Sequence, residues 1–226
     1  MKGDNQIQQD VMDQLKWEPF LKASEIGVAV RNGIVTLSGQ VDSYYKKRSA
    51  EEAAKKVSGV KAIAEDIQIG ISPFYDKSDT EIAEAILNTL KWHTAVQDEK
   101  IKIKVDGGNV TLQGEADWDF QRRSAEKEIE GLAGVKSVTN LITVKPRVTV
   151  ADVQGKIESA FQRAASINSR KIKVDVEGSK VILSGSVTSL AEKEEAEASV
   201  WNAAGVAQVE NNLEIIVPEY SEYVDF

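Results

Sequence analysis

The sequence predicts an α+β protein of three tandem α-β-β-α-β domains, each a small mixed three-stranded sheet with two helices on one face. Two observations carry this prediction. The first is an internal repeat: Ile34-Val-Thr-Leu-Ser-Gly39 recurs as Asn109-Val-Thr-Leu-Gln-Gly114 and as Lys180-Val-Ile-Leu-Ser-Gly185, at offsets of 75 and then 71 residues. The same offsets, without a gap, carry Ile7 to Ile82 and Val153, Leu15 to Leu90 and Phe161, and Gly59-Val60 to Gly134-Val135 and Gly205-Val206. Self-similarity at a fixed period marks repeated structural units. The second is a change of hydrophobic period inside each copy, from helical to alternating and back. Length alone, 226 residues, would suggest one or two domains. The repeat makes it three, at 4–70, 79–145 and 150–217, with an acidic tail at 218–226.

Taken in order, each unit opens with a helix. Ile7, Val11 and Leu15 fall at i, i+4 and i+8, as do Ile82, Ile86 and Leu90, and Val153, Ile157 and Phe161, which is the apolar stripe of an amphipathic helix. Ser78 with Glu81, and Thr149 with Asp152, have the spacing of capping boxes for the second and third of these helices. Two alternating runs follow, Ile26-x-Val28-x-Val30 and Val35-x-Leu37-x-Gly39, around Asn32-Gly33, a strong hairpin signal. With those two residues in the turn, Ile26 faces Gly39. The second copy, turning at Gly107-Gly108, pairs Ile101 with Gly114, and the third, turning at Gly178-Ser179, pairs Ile172 with Gly185. A glycine on the apolar face opposite an isoleucine in every copy predicts a close backbone approach, expected to be that of a helix. Gly39, Gly114 and Gly185 are therefore read as structural.

Asp42, Asp117 and Thr188 are the expected N-caps of a second helix, whose inner face carries Ala50, Ala54 and Val57 or their equivalents. It ends near Gly59, Gly134 or Gly205, and the last strand carries Ile63, Ile67 and Ile69 in the first copy. A β-α-β crossover is right-handed, so this strand runs parallel to the one before the helix if the two share a sheet. The spatial order of the strands is left open.

Composition narrows the chemistry. With 42% hydrophobic and 28% charged residues the chain is expected to fold. It has no cysteine, which removes disulfides, thiolate nucleophiles and cysteine-ligated metals. The single histidine, His93, is matched by Glu18 and Ala164 in the other copies, so it is outside the repeated framework. No G-x-S-x-G, H-E-x-x-H, Walker A or G-x-G-x-x-G pattern is present. No enzymatic activity, cofactor or metal is expected. Net charge is −8, which speaks against nucleic acid as a partner. The charge is uneven: 10 basic against 10 acidic residues over 1–75, 11 against 13 over 76–150, and 7 against 13 over 151–226. An anionic surface is accordingly expected to meet the first two units. The amino-terminal residues carry no apolar leader, so the expected compartment is the cytoplasm, or the periplasm if a leader has been removed. No apolar run reaches the length that spans a bilayer.

Three features together resemble the BON domain, named for bacterial osmotically inducible and nodulation proteins. They are the Val-x-Leu-x-Gly strand, a charged helix such as Ser189-Leu-Ala-Glu-Lys-Glu-Glu-Ala-Glu-Ala, and the ending Gly205-Val-Ala-Gln-Val-Glu-Asn-Asn-Leu213, which the first copy varies with Glu65 where Asn211 stands. The resemblance covers nearly the whole chain, three times over. It implies a non-catalytic, stress-linked binding role toward phospholipid surfaces or macromolecular partners. The alternative is a structural protein that stacks with other chains through sheet edges or exposed aromatics.

Candidate binding residues are aromatic. Trp17 and Trp92 occupy equivalent places at the end of the first helix; they either seal the sheet end or, exposed, form an interface. Tyr44 and Tyr45 in the first unit, and Trp118 and Phe120 in the second, stand at the start of the second helix. Lys46, Lys47 and Arg48, or Arg122 and Arg123, follow them. Such a cluster suits a headgroup-level anchor or a protein-docking patch, or else is helix-end packing beside a solvated charge run. Lys102 and Lys104 read as solvated sheet surface. Glu65, Asn140 and Asn211 share the parity of buried neighbours, which places them at a bulge or in an internal hydrogen bond. The sequon at Asn109-Val-Thr111 lies at a hairpin and is discounted. The tail, acidic and aromatic, is read as frayed.

Overall fold

The structure is a computed structural model and describes residues 2–70, 77–92, 100–145, 153–163, 171–203 and 205–216. At Trp92, Gln162 and Arg163 only the backbone is described. The expectations for His93, for Thr149 with Asp152, for the side chain of Trp92 and for the tail lie outside the described residues.

The first unit runs α1 (Asp4–Trp17), a single 3-10 turn (Ala23–Glu25), β1 (Ile26–Arg31), β2 (Ile34–Val41), α2 (Tyr44–Lys55) and β3 (Ala62–Ile69). The second runs α3 (Asp79–Trp92), β4 (Ile101–Asp106), β5 (Asn109–Ala116), α4 (Asp119–Ile129) and β6 (Ser137–Val144), and the third α5 (Val153–Arg163), β7 (Ile172–Glu177), β8 (Lys180–Val187), α6 (Leu190–Trp201) and β9 (Gln208–Ile215). Each sheet has its second strand in the centre, antiparallel to the first and parallel to the third. This is the mixed topology that the crossover argument requires, and it settles the strand order.

The helical stripe and the alternating strands bury the same residues. Ile7, Val11 and Leu15 from α1, Val35 and Leu37 from β2, and Ala50, Ala53 and Ala54 from α2 close one core, and the second and third units build cores of their own from the equivalent positions. Three alanines on the inner face of α2, all fully buried, let that short helix sit close on the sheet, where larger side chains would hold it off.

The hairpin register is as the turn residues dictate, with Ile26 opposite Gly39, Ile101 opposite Gly114 and Ile172 opposite Gly185. What crowds these glycines, however, is neither α-helix of the unit but the residue that leads into the first strand, in the first copy the last residue of the 3-10 turn. A Cβ at Gly39 would collide with the carbonyl oxygen of Glu25, one at Gly114 with that of Lys100, and one at Gly185 with that of Lys171. The chain entering the first strand passes over the glycine, whose φ of +135° in the first copy is itself a conformation reserved for residues without a side chain.

Two corrections concern helix starts. The N-caps lie one residue later than expected, at Ser43, Trp118 and Ser189. Serine hydroxyls accept from the N–H of Lys46 and of Glu192. Indole offers no acceptor, and in the second unit Gln121 Oε1 instead accepts from the backbone N–H groups of Asp117 and Trp118. Asp42 pairs with Lys46, and Thr188 donates its N–H and hydroxyl to Glu192. A contact that the repeat did not flag joins the first helix to the hairpin. Asp4 accepts the N–H groups of Asn32 and Gly33 at 2.7 and 3.0 Å, and Asp79 those of Gly107 and Gly108 at 2.8 and 2.9 Å.

Candidate interaction surface

Two adjacent tyrosines on a helix point about 100° apart, and at the start of α2 that geometry sends them to different places. Tyr44 is 8% exposed and belongs to the hydrophobic core of the second unit. It is not available to a ligand. Tyr45 is 46% exposed and meets Phe20 edge-on, with ring centroids 6.3 Å apart. Trp17, the last residue of α1, is 83% exposed and Phe20 66%, so Trp17 does not seal the sheet. The end of α1 and the start of α2 share one end of the unit, because β1 begins where β2 finishes. That end presents Trp17, Phe20 and Tyr45 to solvent. Phe20 escaped the sequence reading because the other copies carry Ala95 and Ser166 at its position; the signal was its place three residues beyond the end of α1.

Trp118 and Phe120, at the corresponding end of the second unit, are also exposed. Phe120 occupies the repeat position of Tyr45, which the third unit fills with Ala191.

The basic residues beside these aromatics are engaged in holding the fold. Lys46 pairs with Asp42 at 2.6 Å. Lys47 donates to the carbonyl of Ile67 and lies 3.6 Å from Glu65. Arg48 contacts Glu51, Glu52 and, across the unit boundary, Glu130. Burial works against the Arg48 charge, but these carboxylates outweigh it and its pKa is raised. Burial dominates at Glu130, whose pKa is raised despite Arg48. Arg122 and Arg123 both face Asp119, which is 1% exposed. No N–H of either guanidinium is aligned for a hydrogen bond to that carboxylate, so the pairing is coulombic. Lys102 and Lys104 lie exposed on β4.

Glu65, Asn140 and Asn211 are not at bulges, for the β2–β3 register and its equivalents are continuous. Asn140 donates to the carbonyl of Arg122 and to Glu126, and accepts from the N–H of Ile142; Asn211 does the same with Lys193, Glu197 and Leu213. Each asparagine ties its last strand to the second helix. A glutamate cannot donate while ionised, and burial raises the pKa of Glu65.

The second helices meet head to tail. The start of α2 reaches the end of α4 through Tyr44 and Arg48–Glu130. The start of α4 reaches the end of α6, with Arg122 4.8 Å over the Trp201 ring and Arg123 donating to Asn202. The start of α6 returns to the end of α2: Leu190 packs on the first core, Glu194 lies 2.8 Å from Lys55, and the N–H of Gly59 donates to the carbonyl of Thr188. Residues 44, 119 and 190 are repeat equivalents, as are 48, 123 and 194, and 55, 130 and 201. The three junctions thus bring the start of one second helix to the end of another, with different side chains each time, around a closed ring. Between α4 and α6 lies a cleft of about 510 Å³, lined by Glu52, Asp119, Arg122, Arg123, Glu194 and Trp201 among others. Among the described residues no group of three or more metal-ligating side chains converges, and no helix is long and apolar enough to cross a membrane.

Compared with known families, the chain matches the BON domain over residues 3–70, 78–146 and 149–216. Among characterised sequences it is 30% identical over 130 residues to osmotically-inducible protein Y of Escherichia coli (strain K12), across 55% of this chain and 64% of that protein. The chain therefore spans just under two thirds of that relative's length. It is also 30% identical over 125 residues to an uncharacterized protein in the gshII 5' region of Anaplasma centrale, across 54% of this chain and 83% of that one. Among solved structures, CdsD, a structural protein of the type III secretion system of Chlamydia trachomatis, aligns over 93% of this chain and 92% of its own at 12% identity, with a TM-score of 0.27. A likeness that low carries no inference about arrangement or role.

Proposed function

The chain belongs to the BON domain family, with three copies in tandem, and on that premise we propose that it is a non-enzymatic, stress-linked binding protein that docks on phospholipid surfaces through aromatic side chains of its first two units. The observation that carries this reading is the exposure of Trp17, Phe20 and Tyr45 at one end of the first unit. Water gains by losing contact with these rings, and tryptophan and tyrosine settle at the headgroup level, where an apolar body and a polar tip are both satisfied. Trp118 and Phe120 add a second such end. The name of the Escherichia coli relative, osmotically inducible, supports the stress-linked part.

Charge plays the smaller part. The basic residues beside the rings are already paired, so the attraction is expected to be apolar and to respond weakly to salt. The third unit, with 7 basic against 13 acidic residues over 151–226, faces away from an anionic surface. Co-sedimentation with phosphatidylglycerol and phosphatidylcholine vesicles tests this. Wild type is expected to bind, and the triple variant Trp17→Ala, Phe20→Ala, Tyr45→Ala to lose about tenfold in partitioning, a little over one kilocalorie per mole. Absence of binding to either vesicle at low salt removes the lipid reading. Protein-only self-association in the same experiment would favour assembly instead.

A further inference from the structure

The three cores are not equally self-contained. The first is covered in part by Leu190 of the third unit, and the second receives Tyr44 and Ile69 of the first. Among the described residues, the third core is built from its own unit, from Val153 to Ile215. At the position where Tyr44 and Leu190 enter a neighbour, the second unit carries Asp119, which remains with Arg122 and Arg123 of its own helix. The third unit therefore contributes an apolar side chain to the ring and takes none. Its remaining junction contacts are polar or stacked: Trp201 under Arg122, Asn202 with Arg123, Glu194 with Lys55, and Thr188 with Gly59.

We infer that the third unit exchanges between two copies of the chain, so that the 3→1 and 2→3 junctions form equally well in trans, and the partner of this surface is a second copy. A head-to-tail contact is heterologous: its two faces differ, and they meet in the same geometry whether or not one chain supplies both. A closed ring leaves neither face free, so exchange is the route to a second copy that keeps every junction contact. Interfaces of this polar kind allow relative domain motion. Closure within one chain is favoured by the effective concentration of tethered units, on the order of millimolar. Exchanged dimers are accordingly expected where copies are crowded and not in dilute solution. The inference stands apart from the lipid reading, since it uses none of the exposed aromatics.

Two single variants give the test. Lys55→Glu and Glu194→Lys each place like charges across the 3→1 junction within one chain. Mixed, they regain opposite charges at both junctions only by exchanging third units: Glu at 55 meets Lys at 194 in one ring, and the native pair re-forms in the other. Light scattering of the mixture is expected to show twice the single-chain mass, with the two-chain fraction about tenfold above either variant alone, as an ion pair near 1.4 kcal/mol would give. The double variant Lys55→Glu, Glu194→Lys closes within one chain and stays at single-chain mass. A mixture that stays at single-chain mass, with both variants folded by circular dichroism, overturns the inference. Lys55→Glu also brings a third carboxylate beside Glu51 and Glu52, so a second arm uses wild type. Copies carrying two different tags, cross-linked while held at roughly millimolar concentration, are expected to co-purify as a mixed pair. Failure to co-purify after that treatment likewise overturns it.

Discussion

At the glycine of each middle strand the three copies do the same thing, leaving room for the carbonyl of the residue that precedes the first strand. At the first residue of each second helix they do three different things, placing a tyrosine in the neighbouring core, an aspartate between two arginines and a leucine against the first core. The contrast is one of tolerance. Inside a unit, backbone passes over backbone with no side chain to adjust, so only glycine fits. Between units, side chain meets side chain across a partly wet boundary, and charge pairs, stacking and apolar insertion all serve. Arg48–Glu130 and Lys55–Glu194 even reverse the sign of the same junction. Opposite signs make each unit's start compatible with its own neighbour: Arg48 set against Lys55 in a ring of first units would repel.

The largest expected effect lies on the interior side of that contrast. Gly114→Ala forces a Cβ into the carbonyl of Lys100 at a φ of +143°, and should cost about 3 kcal/mol or more, read as lost hydrogen-exchange protection in β5 and β6. If alanine is tolerated, the interior is not the rigid half.

Next is the most apolar junction. Tyr44→Ala removes a buried ring from the second unit's core and should lower stability to urea by about 3 kcal/mol. Asp119→Leu, which gives the second unit what the third already has at Leu190, should change it by less than about 1 kcal/mol, since the two arginines it leaves, 28% and 42% exposed, still reach water. An equal loss from both variants would erase the distinction between inserted and ionic junctions.

A smaller effect is expected where the first unit departs from the shared strut. Glu65→Asn should stabilise that unit by about 1 kcal/mol, one hydrogen bond's worth, by reaching the carbonyl of Lys47 as Asn140 reaches Arg122. The pH dependence follows from the raised pKa of Glu65, which burial causes. Its charged form is disfavoured in the folded state, so the penalty is present at neutral pH and fades as pH falls through the folded pKa toward 4.5. The advantage of Glu65→Asn should therefore narrow on acidification, measured by urea midpoints across that range.

Smallest is the half-buried ion pair between the first two units. Arg48→Glu and Glu130→Arg should each destabilise slightly, and the double variant should recover, with a coupling of about 0.5–1 kcal/mol. No coupling would leave the apolar contacts of Tyr44 and Ile69 to hold the first two units together.

Much of the interior was legible in advance. The repeat offsets located the glycine of each middle strand, the alternating runs set the hairpin register, and the i, i+4, i+8 stripes named the buried face of each first helix, because those patterns record local geometry that a chain repeats wherever it recurs. The surface was less legible. Tyr44 and Tyr45 are identical in sequence, and only the position of the second unit makes one a core residue and the other a solvent-exposed ring. Arg122 and Arg123 read as free basic residues until Asp119 and Trp201 stand beside them. Phe20 is matched by Ala95 and Ser166 in the other copies and gave no periodic signal.

By itself, the sequence determined three units, their element order, the parallel return of each last strand and the glycine under each first strand, since all of these follow from spacing along one copy. Only the tertiary structure decided that the second helices close a ring. Its contacts join residues of different units, such as Arg123 and Asn202 or Lys55 and Glu194, and such pairs leave no period in a single chain: the same charges, differently turned, would have faced water.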